Sequence, residues 1–161
     1  MKKFDIQSYS GLQLFSLTAL RVIIGWHFLY EGLVKMTNPN WSSIGYLMDS
    51  AGFMQGFYEW LAANPGTLQI VDLLNIWGLI LIGSGLILGL MGKPALWGAA
   101  ILLALYYLSH PPFVGLKYDL PNEGSYLIVN KVLIELVAVF VLLVFPTSRR
   151  VGIDRLIFGT K

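Results

Sequence analysis

The sequence contains no cysteine, and only 12% of its 161 residues are charged. Without cysteine the chain cannot form a disulfide, hold an iron–sulfur cluster through thiolates, attach haem c or carry sulfur on a thiol. With so little charge it also lacks the polar surface of an average soluble domain, in which about a quarter of the residues are charged. These absences exclude several classes of redox protein and indicate apolar surroundings.

The residues that are present are mostly hydrophobic: they make up 56% of the chain, and the mean hydropathy is +0.67. A helix needs about 20 apolar residues to cross a hydrocarbon core of about 30 Å. Four stretches reach or approach that length, namely residues 12–35, 68–90, 94–109 and 126–145. We therefore predict an all-α membrane protein, a four-transmembrane-helix bundle that forms a single domain over residues 1–161.

The lysines and arginines outside these stretches predict the orientation. Residues 1–10 do not resemble a cleavable signal, so we expect the first span to remain in the mature protein. The basic residues precede the first span, lie between the second and third, or follow the fourth: Lys2, Lys3, Lys93, Arg149, Arg150, Arg155 and Lys161. The positive-inside rule then places both termini in the cytoplasm and the two longer loops outside the cell (inner) membrane.

Three further segments outside the spans or within them suggest local structure. Residues 53–63 in the first outer loop predict a helix lying in the membrane interface, although an ordinary aromatic belt would explain the same residues. Gly85 and Gly89 form a GxxxG pair, which is typical of close packing between membrane helices. The tail, residues 146–161, alternates basic and apolar residues and predicts an interfacial anchor on the anionic cytoplasmic leaflet.

Polar residues within the predicted spans are candidates for a functional site, because a charged group at membrane depth is costly unless it is paired or faces a cavity. At about 100° per residue, Arg21, His27, Glu31 and Lys35 fall near 0°, 240°, 280° and 320° and share one stripe. At about 1.5 Å per residue, Glu31 and His27 lie about 6 Å and 12 Å below the outer end of the first span. The stripe therefore faces the bundle in its outer half.

The other spans bring polar residues to the same depth, so we predict a polar cup that opens outward beneath the aromatic loop. The candidate proton carriers are His27, Glu31, Asp72 and Glu135. The candidate contacts to a bound ligand are Arg21, Asn75, Tyr107, His110 and Lys131. No metal site is predicted.

A purely structural role explains the same residues differently. Arg21 could pair with Glu31 or Glu135, and Asp72 with Lys131, because buried ion pairs often serve only to fix helix register. In this interpretation Lys35 extends to the lipid headgroups and His27 is a satisfied core histidine.

Cofactor signatures are scarce in the sequence. His27 and His110 lie at different depths, which makes a shared haem b a weak prediction. No flavin, dinucleotide or iron–sulfur signature is found.

Two segments carry a family resemblance: "LRVIIGWHFLYEGLVKM", residues 20–36, and "VNKVLIELVAV", residues 129–139. With the glycine-rich second span, its basic turn and the short third span, they resemble the DoxX family of small four-helix membrane proteins. That family includes the DoxD-like subunits of thiosulfate:quinone oxidoreductase. The resemblance implies a membrane partner of redox enzymes that passes electrons to quinone, which makes quinone the expected cofactor or substrate.

The leading hypothesis is thus a membrane subunit of a quinone-linked oxidoreductase, with a partner enzyme outside the cytoplasm or within the membrane. Two alternatives stay open: a non-catalytic anchor or assembly subunit for an extracytoplasmic enzyme, and a small-solute or proton transporter. The lipid bilayer is the expected surrounding, a homo-oligomer is compatible with the sequence, and no nucleic-acid partner is expected.

Overall fold

A computed structural model describes residues 9–121 and 127–159. Within them the chain is all-α, as predicted, with seven helices and no sheet. The helices are α1 (Gly11–Thr37), α2 (Ile44–Met48), α3 (Gln55–Ala63), α4 (Pro65–Leu88), α5 (Gly92–Ser109), α6 (Lys131–Val144) and α7 (Asp154–Phe158). Lys2, Lys3 and Lys161, which entered the predicted orientation, and Tyr126, the first residue of the fourth predicted span, lie outside the described residues.

Three of the four long helices, α1, α4 and α6, begin at residues that suit helix starts. Ser10 caps α1 by a reciprocal pair of hydrogen bonds with Gln13, a capping box. The side chain of Asn64 caps α4 by accepting from the backbone N–H groups of Gly66 and Thr67, and Pro65 occupies the first turn, where its missing N–H costs nothing. Asn130 caps α6 in the same way.

The fourth predicted span is wrong at its start. Residues 127–130 are not helical, and α6 begins at Lys131 because Asn130 adopts an extended backbone and accepts from the N–H of Leu133. With 14 residues, α6 is about 21 Å long. By length and hydropathy, two of the described helices could cross a membrane, α1 and α4.

Helices α1, α4, α5 and α6 pack in a ring around an apolar core. The core includes Phe28, Leu86, Leu103 and Val139. The α1–α4 interface is the most extensive of the ring, and the α1–α6 interface is the least. The ring is therefore tight on one side and loosely closed on the other.

Glycines on both helices explain the close approach of α1 to α4. A Cβ atom added at Gly25 would lie 2.9 Å from Cβ of Leu86, and one at Gly32 would lie 2.7 Å from Cγ1 of Ile80. A Cβ at Gly83 would meet the backbone of Leu29. The predicted pair is different: Gly85 lies against Ala95, while Gly89 ends α4 in the left-handed region, with φ of +62°.

We call the end of the ring that carries residues 38–64 the loop end. There α2 and α3 form a small apolar cluster with the start of α4, built on Leu47, Tyr58 and Ala62. A helix is confirmed within the predicted residues 53–63, although α3 begins two residues later, at Gln55. Its Tyr58 donates to the carbonyl of Leu105 on α5, whereas Phe53, Phe57 and Trp60 are exposed.

We call the opposite end, with the α4–α5 turn and α7, the tail end. Arg21, only 3% exposed, donates to Oγ1 of Thr147 at 2.9 Å and to the carbonyl of Val151 at 2.7 Å. The backbone N–H groups of Ile153 and Asp154 donate to the carbonyls of Leu88 and Gly89. The tail is thus folded onto the bundle by its own hydrogen bonds.

Candidate functional site

A cavity of about 380 Å³ lies inside the ring toward the loop end. Helices α1, α4, α5 and α6 and the segment that leads into α2 each contribute to its wall. Its lining is His27, Phe28, Glu31, Lys35, Trp41, Ser42, Ser43, Tyr46, Asn75, Leu79, Leu103, Tyr106, Val132 and Glu135. Four of the predicted site residues meet there, namely His27, Glu31, Asn75 and Glu135, and Lys35, which was not predicted as a site residue, joins them.

His27 and Glu135 join α1 to α6 at the edge of this cavity. Nδ1 of His27 lies 2.8 Å from Oε1 of Glu135, within hydrogen-bonding distance, and the pair becomes an ion pair when the imidazole is protonated. The His27 side chain is 56% exposed and that of Glu135 only 16%. The α1–α6 interface is the least extensive of the ring, and we call it the α1–α6 seam. The His27–Glu135 pair joins the two helices across this seam.

A chain of hydrogen bonds crosses the opposite side of the cavity. Nζ of Lys35 lies 3.7 Å from Oε2 of Glu31 and donates to Oδ1 of Asn75 at 3.2 Å. The amide of Asn75 in turn donates to the hydroxyl of Tyr106 at 2.6 Å. The ammonium also lies over the ring of Trp41, 5.4 Å from its centroid. Lys35 therefore turns into the protein, and the alternative that it extends to lipid headgroups is wrong.

Asp72 holds the loop over the cavity. Its Oδ1 accepts from the backbone N–H of Ser43 at 2.8 Å and from the Ser43 hydroxyl, and its Oδ2 accepts from Ser42 at 2.9 Å. Ser42 and Ser43 line the cavity, while Asp72 lies behind them. Asp72 thus bonds to the loop, and the alternative that it pairs with Lys131 is wrong.

Apolar side chains form the rest of the wall: Phe28, Leu79, Leu103 and Val132. The sequence reading missed Tyr106, Tyr46 and Trp41, and it selected Tyr107 instead of Tyr106. Tyr107 donates to the carbonyl of Ile128 and does not line the cavity. The sequence does contain a pattern that favours Tyr106 over Tyr107. Leu96, Ala99, Leu103 and Tyr106 recur at spacings of three and four and so share one helix face.

His110 belongs to a second cluster at the loop end. Its ring stacks on that of Tyr46 at 4.1 Å between centroids and lies 4.8 Å from that of Tyr118. Its Nδ1 is 2.9 Å from the Ser109 hydroxyl and its Nε2 is 3.4 Å from Oδ2 of Asp49. Burial lowers the pKa of His110 below its usual value, and the nearby Asp49 carboxylate offsets only part of this effect.

Asp49 fastens the second long loop to this cluster. Its two carboxylate oxygens accept from the backbone N–H groups of Asp119 and Leu120, at 2.8 Å and 3.1 Å. Burial raises the pKa of Asp49, but these hydrogen bonds and His110 outweigh it, so the pKa lies below its usual value. The His110 cluster therefore holds the loops together; His110 itself does not line the cavity, and the cluster meets the cavity through Tyr46.

Arg21 and Lys131 also lie outside the cavity lining. Arg21 bonds to the tail rather than to Glu31 or Glu135. Lys131 is exposed at the first position of α6. Among the described residues, no group of three or more His, Cys, Asp or Glu side chains could hold a metal ion.

Comparison with known proteins gives one family match. The family model described as DoxX matches residues 16–111, which include α1 from Ser16 onward, all of α2 to α5, and the cavity residues on α1, α4 and α5. No curated protein and no solved structure matches the chain. Glu135 and Val132 on α6 lie beyond the matched region.

Proposed function

The chain belongs to the DoxX family of membrane proteins, and from that premise we propose that it is an integral subunit of a quinone-linked oxidoreductase system whose cavity holds the quinone ring. The observation that carries this proposal is that polar groups lie on two opposite sides of the cavity. One side is the His27–Glu135 pair, and the other is the chain from Lys35 to Tyr106. Apolar residues lie between them.

We propose that α5 and α6 complete a four-span bundle with α1 and α4. A short span such as α6 can be accommodated by local thinning of the bilayer or by its flanking residues. Lys93, Arg149 and Arg150 lie together at the tail end, which favours a cytoplasmic tail end and an outer loop end. The cavity then occupies the outer half of the bundle in the cell (inner) membrane.

The dimensions and chemistry of the cavity suit a quinone headgroup. Its volume of about 380 Å³ is within the range of small-molecule sites, about 300–1,000 Å³. A quinone offers two carbonyl oxygens on opposite edges of a flat apolar ring. We expect Lys35 and Tyr106 to donate toward one oxygen and His27 toward the other, with Phe28 and Leu103 against the ring.

Reduction of a quinone to a hydroquinone takes two electrons and two protons. The chain encodes no redox group, so we assign the electrons to a redox cofactor of a partner enzyme. We assign proton transfer to His27, with Glu135 as its relay, because imidazole and carboxylate groups within hydrogen-bonding reach exchange protons readily. Glu31, which also lines the cavity, is the second candidate proton carrier. Lys35 would stabilise the anionic oxygen that forms between the electron and proton transfers.

Lateral access supports a substrate that is dissolved in the membrane. The Asp72–serine contacts cover the cavity at the loop end, whereas His27 is more than half exposed on the α1–α6 seam. His27 lies about 15 Å from the end of α1, at the depth of the acyl chains. A quinone could thus insert its ring past His27 and leave its isoprenoid tail in the bilayer.

The anchor or assembly role is the second candidate. Phe53, just before α3, and Phe57 and Trp60 on α3 leave an exposed aromatic surface at the loop end, which could receive an extracytoplasmic enzyme. A transporter is less well supported, because the contacts of Arg21 with Thr147 and Val151 fill the interior at the tail end.

The proposal is tested by purifying the protein gently into nanodiscs and measuring co-purified quinone and proteins by mass spectrometry. We expect about one quinone per chain in the wild type and strong depletion in His27→Gln. The matched control is His110→Gln, which changes the other histidine outside the cavity and should retain quinone. A wild-type protein without quinone but with a bound enzyme would favour the anchor instead.

A further inference from the structure

A second cavity, of about 450 Å³, lies at the tail end, far along the bundle from the site described above. Its walls are the α4–α5 turn with the first residues of α5, the segment that follows α6, and the first and last residues of α7. The lining consists of Met91, Gly92, Lys93, Pro94, Pro146, Ser148, Arg149, Arg150, Asp154 and Phe158. No step of the proposed quinone chemistry uses these residues.

The two walls of this tail cavity are held in place by buried polar contacts. The carboxylate of Asp154 accepts from the backbone N–H groups of Met91 and Gly92, at 2.7 Å and 2.9 Å. Close backbone contact adds to this, because a Cβ at Gly152 would lie 2.8 Å from Cα of Gly89. The cavity is thus a defined feature of the fold, built where the tail meets the turn.

The charge of the cavity is positive. Lys93, Arg149 and Arg150 line it, and Asp154 is the one acidic residue in its lining. Burial raises the pKa of Asp154, but hydrogen bonds from Gly92, Ser148 and Met91 outweigh it and hold the pKa below its usual value. The Asp154 carboxylate is therefore ionised at neutral pH, and the three basic residues of the lining outnumber it, so the lining as a whole favours an anion.

Apolar residues stand beside these cations. Phe158 and Met91 line the cavity and are 56% and 59% exposed, and the guanidinium carbon of Arg149 lies 5.9 Å from the centre of the Phe158 ring. Leu156 and Ile157 of α7 are also exposed. A free phosphate ion would need only the cations, whereas a lipid would use both the cations and this apolar border.

We propose that the tail cavity binds the phosphate headgroup of an anionic phospholipid, with the acyl chains against α7. Lys93 and Arg149 contact the phosphate from opposite walls, one from the α4–α5 turn and one from the tail. The bound lipid thereby joins these two segments and holds the tail on the bundle. This site is independent of the quinone proposal and goes beyond a general attraction of basic residues to the leaflet.

The test is native mass spectrometry of the detergent-solubilised full chain titrated with phosphatidylglycerol or phosphatidylcholine. We expect phosphatidylglycerol to bind at least tenfold more tightly. The double variant Lys93→Gln, Arg149→Gln should lower its affinity about 25-fold, because each cation near an anionic lipid contributes about 1 kcal/mol, close to a factor of five. Phosphatidylcholine binding should change little.

The matched control is Arg155→Gln, which removes one positive charge from the same tail but outside the cavity lining. It should bind phosphatidylglycerol like the wild type. Equal losses in Arg155→Gln and the single variant Arg149→Gln would overturn a defined site in favour of general charge attraction. Inorganic phosphate is the second probe, and displacement of the lipid by millimolar inorganic phosphate would overturn the lipid assignment. A thermal unfolding scan of each variant identifies any that fail to fold, and the single variants Lys93→Gln and Arg149→Gln then replace the double variant.

Discussion

Nδ1 of His27 on α1 lies 2.8 Å from Oε1 of Glu135 on α6, and the two residues are 108 positions apart in the chain. The contact crosses the seam at which the helix ring is closed most loosely. It places a titratable pair at the lateral edge of a cavity whose other polar residues face inward. Two roles can be separated experimentally: proton exchange with a substrate, and closure of the ring.

If His27 exchanges protons with quinone, His27→Gln should lower quinone-coupled turnover by about 10²-fold or more, the usual contribution of a general acid or base. Glutamine can still donate a hydrogen bond to Glu135, so the helix contact is largely kept. Turnover with the partner enzyme and thermal unfolding should be measured together. A fall in stability with unchanged turnover would indicate that the pair serves only to close the ring.

Close packing of α1 and α4 should depend on Gly83. Gly83→Ala places a Cβ against the backbone of Leu29, and overpacking of this kind costs about 1–3 kcal/mol. The matched control is Gly78→Ala on the same helix, where the added Cβ would lie 3.6 Å from Cδ1 of Leu102, an ordinary contact. Chemical denaturation in detergent should show a lower free energy of unfolding for Gly83→Ala alone.

Asp72 should control how firmly the loop covers the cavity. Asp72→Asn keeps the size of the side chain but removes the negative charge of the carboxylate, whose oxygens accept hydrogen bonds from Ser42 and Ser43. Because hydrogen bonds to charged groups contribute about 1.5–3 kcal/mol, we expect much faster hydrogen exchange at residues 42–48. Glu59→Gln, a substitution on α3 outside the cavity, should leave this exchange unchanged. Equal protection in wild type and Asp72→Asn would contradict this role.

The His110 cluster should weaken in acid. The pKa of His110 is below its usual value, so its stabilising contribution is complete above about pH 6.5 and declines as the pH falls toward its folded-state pKa. The pKa of Asp49 is also lowered, so its contribution is present above about pH 4 and is lost as the pH falls through its folded-state pKa. Both residues therefore stabilise the cluster less as the pH falls.

The measurement is hydrogen exchange at the amides of Asp119 and Leu120 from pH 7.5 to 5, corrected for the intrinsic pH dependence. Protection should decrease below about pH 6.5. In His110→Asn this decrease should disappear, while the contribution of Asp49 remains. Identical pH profiles in the two proteins would show that another group is responsible.

Arg21 should hold the tail without affecting the cavity at the loop end. Lysine lacks the forked guanidinium that bonds both Thr147 and Val151, so Arg21→Lys should release the segment after α6. Limited proteolysis from the tail side should become at least several-fold faster, whereas quinone retention should match the wild type. Loss of quinone with an undisturbed tail would place Arg21 in the site after all.

The sequence by itself determined that this is a membrane protein and that its fold is all-α. Low charge and long apolar runs require backbone groups to be satisfied within helices, so an all-α membrane protein follows from composition. Helical periodicity also determined that His27, Glu31 and Lys35 share a face. Local chemistry, such as Asn64 followed by Pro65, also explains where α3 ends and α4 begins.

Only the tertiary structure decided which of these residues meet. One position along α5 is a rotation of about 100°, and that rotation places Tyr106 in the cavity and Tyr107 outside it. The partners of Arg21 are 126 and 130 residues away, and those of Asp72 are 29 and 30 residues away, so their pairing depends on how the tail and the loop fold back. Such contacts depend on chain topology, because a polar side chain satisfies itself with whichever partner the packing brings within reach.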